Sequence, residues 1–528
     1  MASEQQRFAR GLRYSAYDAV TSLILGLASS ILTARVFGAA TIGAFAIAAL
    51  LTGSLRMISN VREQGGLVRE LTRHEPGTPQ SRALVWATLA FSTLITIVVL
   101  IPFSVISIVL LHQVFDRPEL VTPFLVLVAG YLALDNVAFN LEAPLVAYRD
   151  GRAVWLSRLS MSFAMIAATL ACALAGIDSV DGIVGCTLAA SAVGLIARVW
   201  GVRRRIGLRT RAADLRWALT RMRTVIWFGV RQSPLNYSET AIEYTDTAVL
   251  GATVSLTEVG AYNRAYGLYT RAMQVPVSVS RLYFPTLSAL YHRGDVDGVA
   301  RLYRLSFRYL VLLLAPACAF VAAASPQVLA IFGPDFQIAA TALSILVFGV
   351  VLEAWGTTAG GVLSAADRPG VVSIVWIGVA VINVGLCFTL IPAFGLTGAA
   401  IANVGGTLLG VACLWRITGR QLGRSVPWMV QLPFLVRLTA ACAVMAAAVV
   451  ALRPVTAALA WQTLAAPVTL VAGLLVFRPL AREDLHVVER GLRATGVGSP
   501  RVLRAALGLH ERFSHGPRVA AASTPVAR

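Results

Sequence analysis

The residues of this chain that could do chemistry are ionisable side chains set inside apolar segments. Charges so placed are costly and usually face a bundle interior or a cavity. The largest set lies on two neighbouring segments, 225–253 and 258–280. Counted from Ser255 in the tight turn between them, Asp246 lies nine residues before and Arg264 nine after. Glu239 lies sixteen before and Arg271 sixteen after. Opposite charges thus fall at matching depths, seven residues apart on one face of each helix. That predicts two rungs of a buried ladder, Asp246–Arg264 and Glu239–Arg271. Glu243 and Arg231 have no match across the turn and are better candidates for a working charge. Arg231, Arg264 and Arg271 could line a cationic cavity, because guanidinium suits bidentate phosphate contact. Arg35, close to one face of the bilayer, joins that set, although a headgroup contact suits it better. Asp135 and Glu353 lie near mid-span and could take up and release a proton, or simply hydrogen-bond a neighbouring helix as neutral acids. Asp18 and Arg56 fall at nearly one depth and are expected to pair.

No familiar soluble-enzyme site accompanies these charges. All 45 basic residues are arginines. Without lysine there is no standard Walker A loop. The 6 cysteines show no CxxC or ligand spacing and read as small core residues. The histidines are scattered over loops and tail with no metal-site grouping. No catalytic residue, metal or cofactor is therefore expected.

The elements that must hold these charges are apolar helices. The chain has 528 residues, 57% hydrophobic and 13% charged, with a mean hydropathy of +0.72. Such a composition leaves too little polar surface for a soluble domain. Apolar runs able to cross about 30 Å of hydrocarbon recur along nearly the whole sequence. They predict an all-α integral membrane protein of about fourteen spans. The net charge of +19 does not point to nucleic acid. Its arginines crowd into alternate connections (Arg7 to Arg13, Arg56 to Arg82, Arg149 to Arg158, Arg198 to Arg223, Arg281 to Arg308, Arg416 to Arg424). The intervening connections hold only Arg117 and Arg453. This positive-inside pattern places both termini in the cytoplasm.

An internal repeat organises the spans. At an offset of 217, Gly43-Ala44-Phe45 meets Gly260-Ala261-Tyr262, and Asp150 meets Asp367. At an offset of 215, Trp200 meets Trp415. Two series of six spans in one orientation give a parallel repeat with a path between halves. The expected organisation is an N-terminal lobe at 1–201 and a C-terminal lobe at 225–424 around a central cavity. Between them, 202–224 reads as an amphipathic linker helix on the inner surface, with Leu208, Ala212, Leu215, Leu219 and Met222 at helical spacing. A further helix pair occupies 425–480, and 481–528 is a cytoplasmic tail.

The first hairpin is used twice, as ARVFGAATIGAFAIAALL and GATVSLTEVGAYNRAYGL. With Pro285 in LYFPTLSAL, the turns AYRDGR and SAADRPG, and FGLTGAAIANVGG, these motifs mark a resemblance covering roughly 8–480. The chain resembles the Wzx-type lipid-linked oligosaccharide flippases of the multidrug/oligosaccharidyl-lipid/polysaccharide exporter superfamily. The resemblance implies two six-helix lobes, alternating access and a polyprenyl-diphosphate-linked glycan as substrate. It also implies a multi-pass protein of a bacterial inner membrane that meets membrane lipids and works beside polysaccharide polymerases or glycosyltransferases. A drug exporter of the same fold is the first alternative, kept alive by the acids near Asp246. A membrane-embedded glycosyltransferase or polymerase is the second, and the short outer connections speak against it.

Overall fold

The computed structural model describes residues 2–207, 209–423, 428–454 and 458–477. Among them there is helix and no strand. The helices are α1 (Ala2–Ser59), α2 (Glu63–Leu71), α3 (Pro79–Gln113), α4 (Val121–Gly130), α5 (Asn136–Ala147), α6 (Gly151–Ala175) and α7 (Val180–Arg205). They continue as α8 (Ala212–Thr253), α9 (Leu256–His292), α10 (Val296–Ala323), α11 (Ser325–Ala330), α12 (Ala340–Ala365), α13 (Pro369–Gln421), α14 (Trp428–Ala451) and α15 (Ala458–Phe477). A π turn, Tyr131–Asp135, joins α4 to α5. Local sequence sets the ends. Thr78, Ser179 and Ser255 each accept a first-turn N–H at a helix start, and Glu258 completes a capping box with Ser255.

Among the described residues, 10 helical stretches are long and apolar enough to cross a membrane. Two of these bend sharply: α1 leaves helical geometry at Gly38 and α13 at Gly395. Gly38 lies in the first hairpin, ARVFGAATIGAFAIAALL, and Gly395 near the start of FGLTGAAIANVGG. The segments predicted as spans seven and eight, on α8 and α9, are helical but fall outside the 10, consistent with the charges they carry. The outer stripe of α3, Leu94, Val98, Ile101 and Val105, is well exposed. Its spacing at one helical face suits contact with lipid.

Residues Met1–Val426 form one compact unit and Pro427–Arg528 a second. In the described part of the second, α14 and α15 form a hairpin in which the Gln462 amide donates to the Val449 carbonyl at 3.0 Å. The predicted tail at 481–528 lies outside the described residues.

The linker expected at 202–224 is not a separate surface helix. Residues 202–205 end α7, and residues 212–224 are the first turns of α8, which continues unbroken to Thr253. Ala218, Met222 and Val225 are buried with Leu67, Leu71 and Leu84 and Leu215 packs beside them, whereas Ala212 and Leu219 of the predicted face stay exposed.

The repeated hairpins meet each other. A Cβ on Gly43 would overlap the Leu256 carbonyl oxygen, and a Cβ on Gly260 would overlap that of Ala39. Gly43 and Gly260, and likewise Ala39 and Leu256, are related by the offset of 217, so α1 and α9 cross as pseudo-symmetric partners. Only residues without side chains allow backbones this close.

Candidate functional site

Past the Gly43 crossing, α1 runs to a polar cavity of about 570 Å³. Gly53, Arg56 and Asn60 line it from α1, Arg62, Gln64 and Gly65 from the start of α2, Phe139 from α5, and Thr240, Glu243 and Tyr244 from α8. From Gly43 to Arg56 is about 20 Å along a helix. α1 is therefore packed tightly on α9 at Gly43 and lines an open, charged chamber further along its length. The Arg56 guanidinium lies 4.9 Å from the centre of the Phe139 ring, a cation–π contact that fixes it at the chamber wall.

The Asp246–Arg264 rung of the charge ladder predicted between α8 and α9 does not form. After the Ser255 turn the two helices part: α8 packs mainly on α13 and α3, whereas α9 packs on α1 and α12. Equal depth along two helices therefore does not bring the side chains together. Asp246, fully buried, accepts from the Tyr262 hydroxyl at 2.6 Å and from the Cys387 thiol at 3.1 Å. The Glu239 side chain lies outside the described residues, so that rung cannot be assigned.

Arg264 and Arg271 face α1 instead. Arg264 Nη1 donates to Ser30 Oγ at 3.2 Å, and its Nε is buried without a hydrogen-bond partner. Arg271 Nη2 donates to the Gly26 carbonyl at 3.2 Å and Nη1 to that of Gly267 at 3.4 Å. Among the described residues neither guanidinium has a carboxylate within 4.0 Å. Two cations thus share one face of α9, between the two halves of the repeat, and their hydrogen-bond partners among the described residues are neutral oxygens. Such a pair can receive an anion with two charged groups in line.

Around Asp246 the second half holds a polar pocket with nearly no access to water. Asn383 and Asn403 are buried, and Asn383 Oδ1 lies 3.6 Å from the Cys387 sulfur. Asn383 Nδ2 and both amide atoms of Asn403 have no hydrogen-bond partner among the described residues. A carboxylate with uncommitted amides beside it can hold a proton or a small cation.

The remaining predicted residues are spread out. Glu243 and Arg56 share the chamber wall. Arg231 is exposed and stacks 5.1 Å from the Trp227 ring of its own helix, away from the Arg264 pair. Arg35 is exposed and reaches the end of α11. Its Nε and Nη2 donate to the carbonyls of Ile331 at 2.7 Å and Ala330 at 2.8 Å. A cation there satisfies the last carbonyls of α11, where the helix dipole is negative. Asp135 closes the π turn and is half-buried. Glu353 is half-buried on α12, within electrostatic reach of Tyr269 on α9.

Asp18 does not pair with Arg56. Arg158 donates to Asp18 at 2.7 Å and to Glu142 at 2.7 Å, and Arg198 donates to Glu142 at 3.1 Å. This network ties α1, α5, α6 and α7 together, and the sequence reading missed it by treating Arg158 and Arg198 only as topology charges. Glu142 keeps 18% of its side chain exposed. Glu142→Gln should cost about 3 kcal/mol, the lower end for breaking a buried pair. Thermal unfolding of the detergent-purified chain reads this as a lowered midpoint; an unchanged midpoint would make the network ornamental.

The chain matches the family described as "Polysaccharide biosynthesis protein" over residues 31–341. It is 29% identical over 178 residues to the "Probable flippase AglR" of Haloferax volcanii, covering 33% of this chain and 37% of that protein. It is 27% identical over 202 residues to the "Probable low-salt glycan biosynthesis flippase Agl15" of the same organism, covering 36% of this chain and 43% of that protein. The chain thus spans less than half the length of these curated relatives. Its fold is like that of the lipid II flippase MurJ in an inward closed conformation (TM-score 0.69, 13% identity, 88% of this chain and 98% of that one). It is also like a multidrug resistance MATE family transporter of the MOP superfamily, inward-facing (TM-score 0.59, 16% identity, 76% of this chain and 94% of that one). At these identities the likeness establishes the fold alone, an all-helical architecture.

Proposed function

The chain belongs to the polysaccharide biosynthesis protein family, and from that premise we propose that it carries a polyprenyl-diphosphate-linked glycan from the inner to the outer leaflet. One observation carries the reading. Among the described residues, Arg264 and Arg271 form a cationic face between the halves of the repeat with no carboxylate within 4.0 Å, and a diphosphate is the anion that two aligned guanidinium groups suit. A cationic drug would be repelled there, which disfavours export of such compounds. The printed names of both Haloferax relatives, as probable flippases, support the same direction. The work is transport and not catalysis.

The lobes are 1–201 and 225–424, giving about fourteen crossings with 425–480, and both termini are cytoplasmic. The Gly43–Gly260 crossing then closes the outer side, and the chamber at Arg56 and Arg62 faces the cytoplasm of a bacterial inner membrane. Alternating access opens one as the other closes. Asp246 couples this exchange by holding a proton or a small cation. Glycosyltransferases would supply the substrate and a polymerase would consume it. Depleting the chain in its own cells should pile lipid-linked glycan on the inner leaflet. Normal outer-leaflet delivery after depletion would contradict the proposal.

A further inference from the structure

A second buried acid sits in the first half of the repeat, outside the path described above. Glu63, the first residue of α2, is 1% exposed, and around it Ser92, Asn136 and Asn140 are buried as well. Ser92 Oγ lies 2.7 Å from Glu63 Oε1, 2.9 Å from Asn136 Oδ1 and 3.1 Å from Asn140 Nδ2. The Asn136 amide nitrogen donates to Thr93 at 3.4 Å, and its oxygen, on the Ser92 side, also accepts from Asn140 Nδ2 at 3.4 Å.

Hydrogen counting decides the state of this cluster. A serine hydroxyl has one proton to give, yet two acceptor oxygens close on it. If Glu63 were ionised, Ser92 would donate to the carboxylate, and Asn136 Oδ1 would face its lone pairs at 2.9 Å. If Glu63 is protonated, these three contacts are satisfied: Glu63 donates to Ser92, Ser92 to Asn136, and the Asn140 amide to Ser92, while Glu63 Oε2 and Asn140 Oδ1 have no partner among the described residues, a lighter cost for a neutral acid than for a carboxylate. A shared metal cation fits less well. A hard cation stands about 2.3–2.6 Å from each oxygen and would hold neighbouring oxygens further apart than this.

We propose that Glu63, with Ser92, Asn136 and Asn140, is a proton-binding site of the first half, loaded in this conformation and unloaded into the adjoining chamber. The route follows from α2. Arg62, Gln64 and Gly65 line the chamber while Glu63 between them turns into the core. Arg62 holds a left-handed backbone conformation, φ 55°, which strains a residue with a side chain, so the first turn of α2 is poised to rotate. Gln64 donates to the Phe139 carbonyl, which links that turn to the wall where Arg56 stacks.

Burial pushes the Glu63 carboxyl above the usual range, against the opposing pull of the Ser92 hydroxyl and of the Glu63 and Val61 backbone. The charged and titratable groups on the surrounding elements are Arg56 and Arg62 on the chain entering α2, Tyr131, Asp135 and Glu142 on the fourth span, and Arg221 on α8. Glu142 and Arg221 are committed to other partners, and Tyr131 bonds Ser59 at 3.2 Å. On α3 the nearest charge is Arg82, well below Ser92.

Infrared difference spectroscopy of the full chain in lipid vesicles at neutral pH tests this. Wild type minus Glu63→Gln should show the loss of one protonated-carboxyl band. Glutamine still donates to Ser92, so the fold is kept. Ser92→Ala removes the acceptor and should shift the same band instead of deleting it, which decides the matter even if Glu63→Gln fails to fold. In wild type the band should fade as pH rises, because the proton leaves a group whose pKa is raised. A band untouched by both substitutions would overturn the proposal. No substrate enters the measurement, so its outcome is independent of what the chain transports.

Discussion

Arg264→Gln should weaken binding of a diphosphate-bearing lipid by roughly ten- to a hundred-and-fifty-fold while the protein remains folded. The estimate takes one charge-assisted hydrogen bond at about 1.5–3 kcal/mol and about 1.4 kcal/mol per tenfold. Folding should not suffer, because Arg264 is held by a single bond to Ser30 and leaves its Nε unpartnered. Removing that charge abandons no carboxylate among the described residues. The usual penalty for breaking a buried pair is therefore absent. Arg271→Gln should act in the same direction, and the two effects will not add simply, since both groups share one face of α9. Titration of the purified chain with a short-chain polyprenyl diphosphate reads the change. Wild-type affinity in both variants would remove the cationic face from the mechanism.

Gly43→Ala should hold the α1–α9 crossing apart. The added methyl meets the Leu256 carbonyl and not a flexible side chain, so relief requires the helices to separate. A cost of about 3 kcal/mol, as for severe overpacking, shifts the closed-to-open ratio roughly a hundred-and-fifty-fold. Gly260→Ala should do the same against Ala39. Spin labels at Ala40 and Thr257 would report a longer distance in either variant, and transport should fall by more than about tenfold. An unchanged distance with unchanged transport would show that the crossing tolerates a methyl.

Much of this architecture is legible in the sequence because hydrophobic length responds directly to the bilayer. The repeat is legible for a related reason: Gly43 and Gly260 are the landmarks that match and also the residues that touch. Side-chain partners are less legible. The expected ladder assumed that helices joined by a tight turn remain in contact, but α8 and α9 diverge beyond Ser255 and take their neighbours from other parts of the chain. Asp246 accordingly finds Cys387, 141 residues away, a cysteine whose composition-level reading was core filler. Glu142 gave a signal that went unused, as an acid within an apolar span with Arg158 and Arg198 nearby in adjacent spans. Glu63 gave little signal. It lies in a connection where acids are ordinary, and only the placement of α2 against α3 and α5 buries it.

The central claim is that this chain moves a lipid-linked diphosphate by means of Arg264 and Arg271. Leaflet-resolved transfer of a polyprenyl-diphosphate glycan, in vesicles with matched amounts of wild type and the double variant Arg264→Gln Arg271→Gln, tests it most directly. The account predicts transfer by wild type and none above empty vesicles by the double variant, with both proteins equally folded. Equal transfer by the two, or no transfer by wild type, would contradict it.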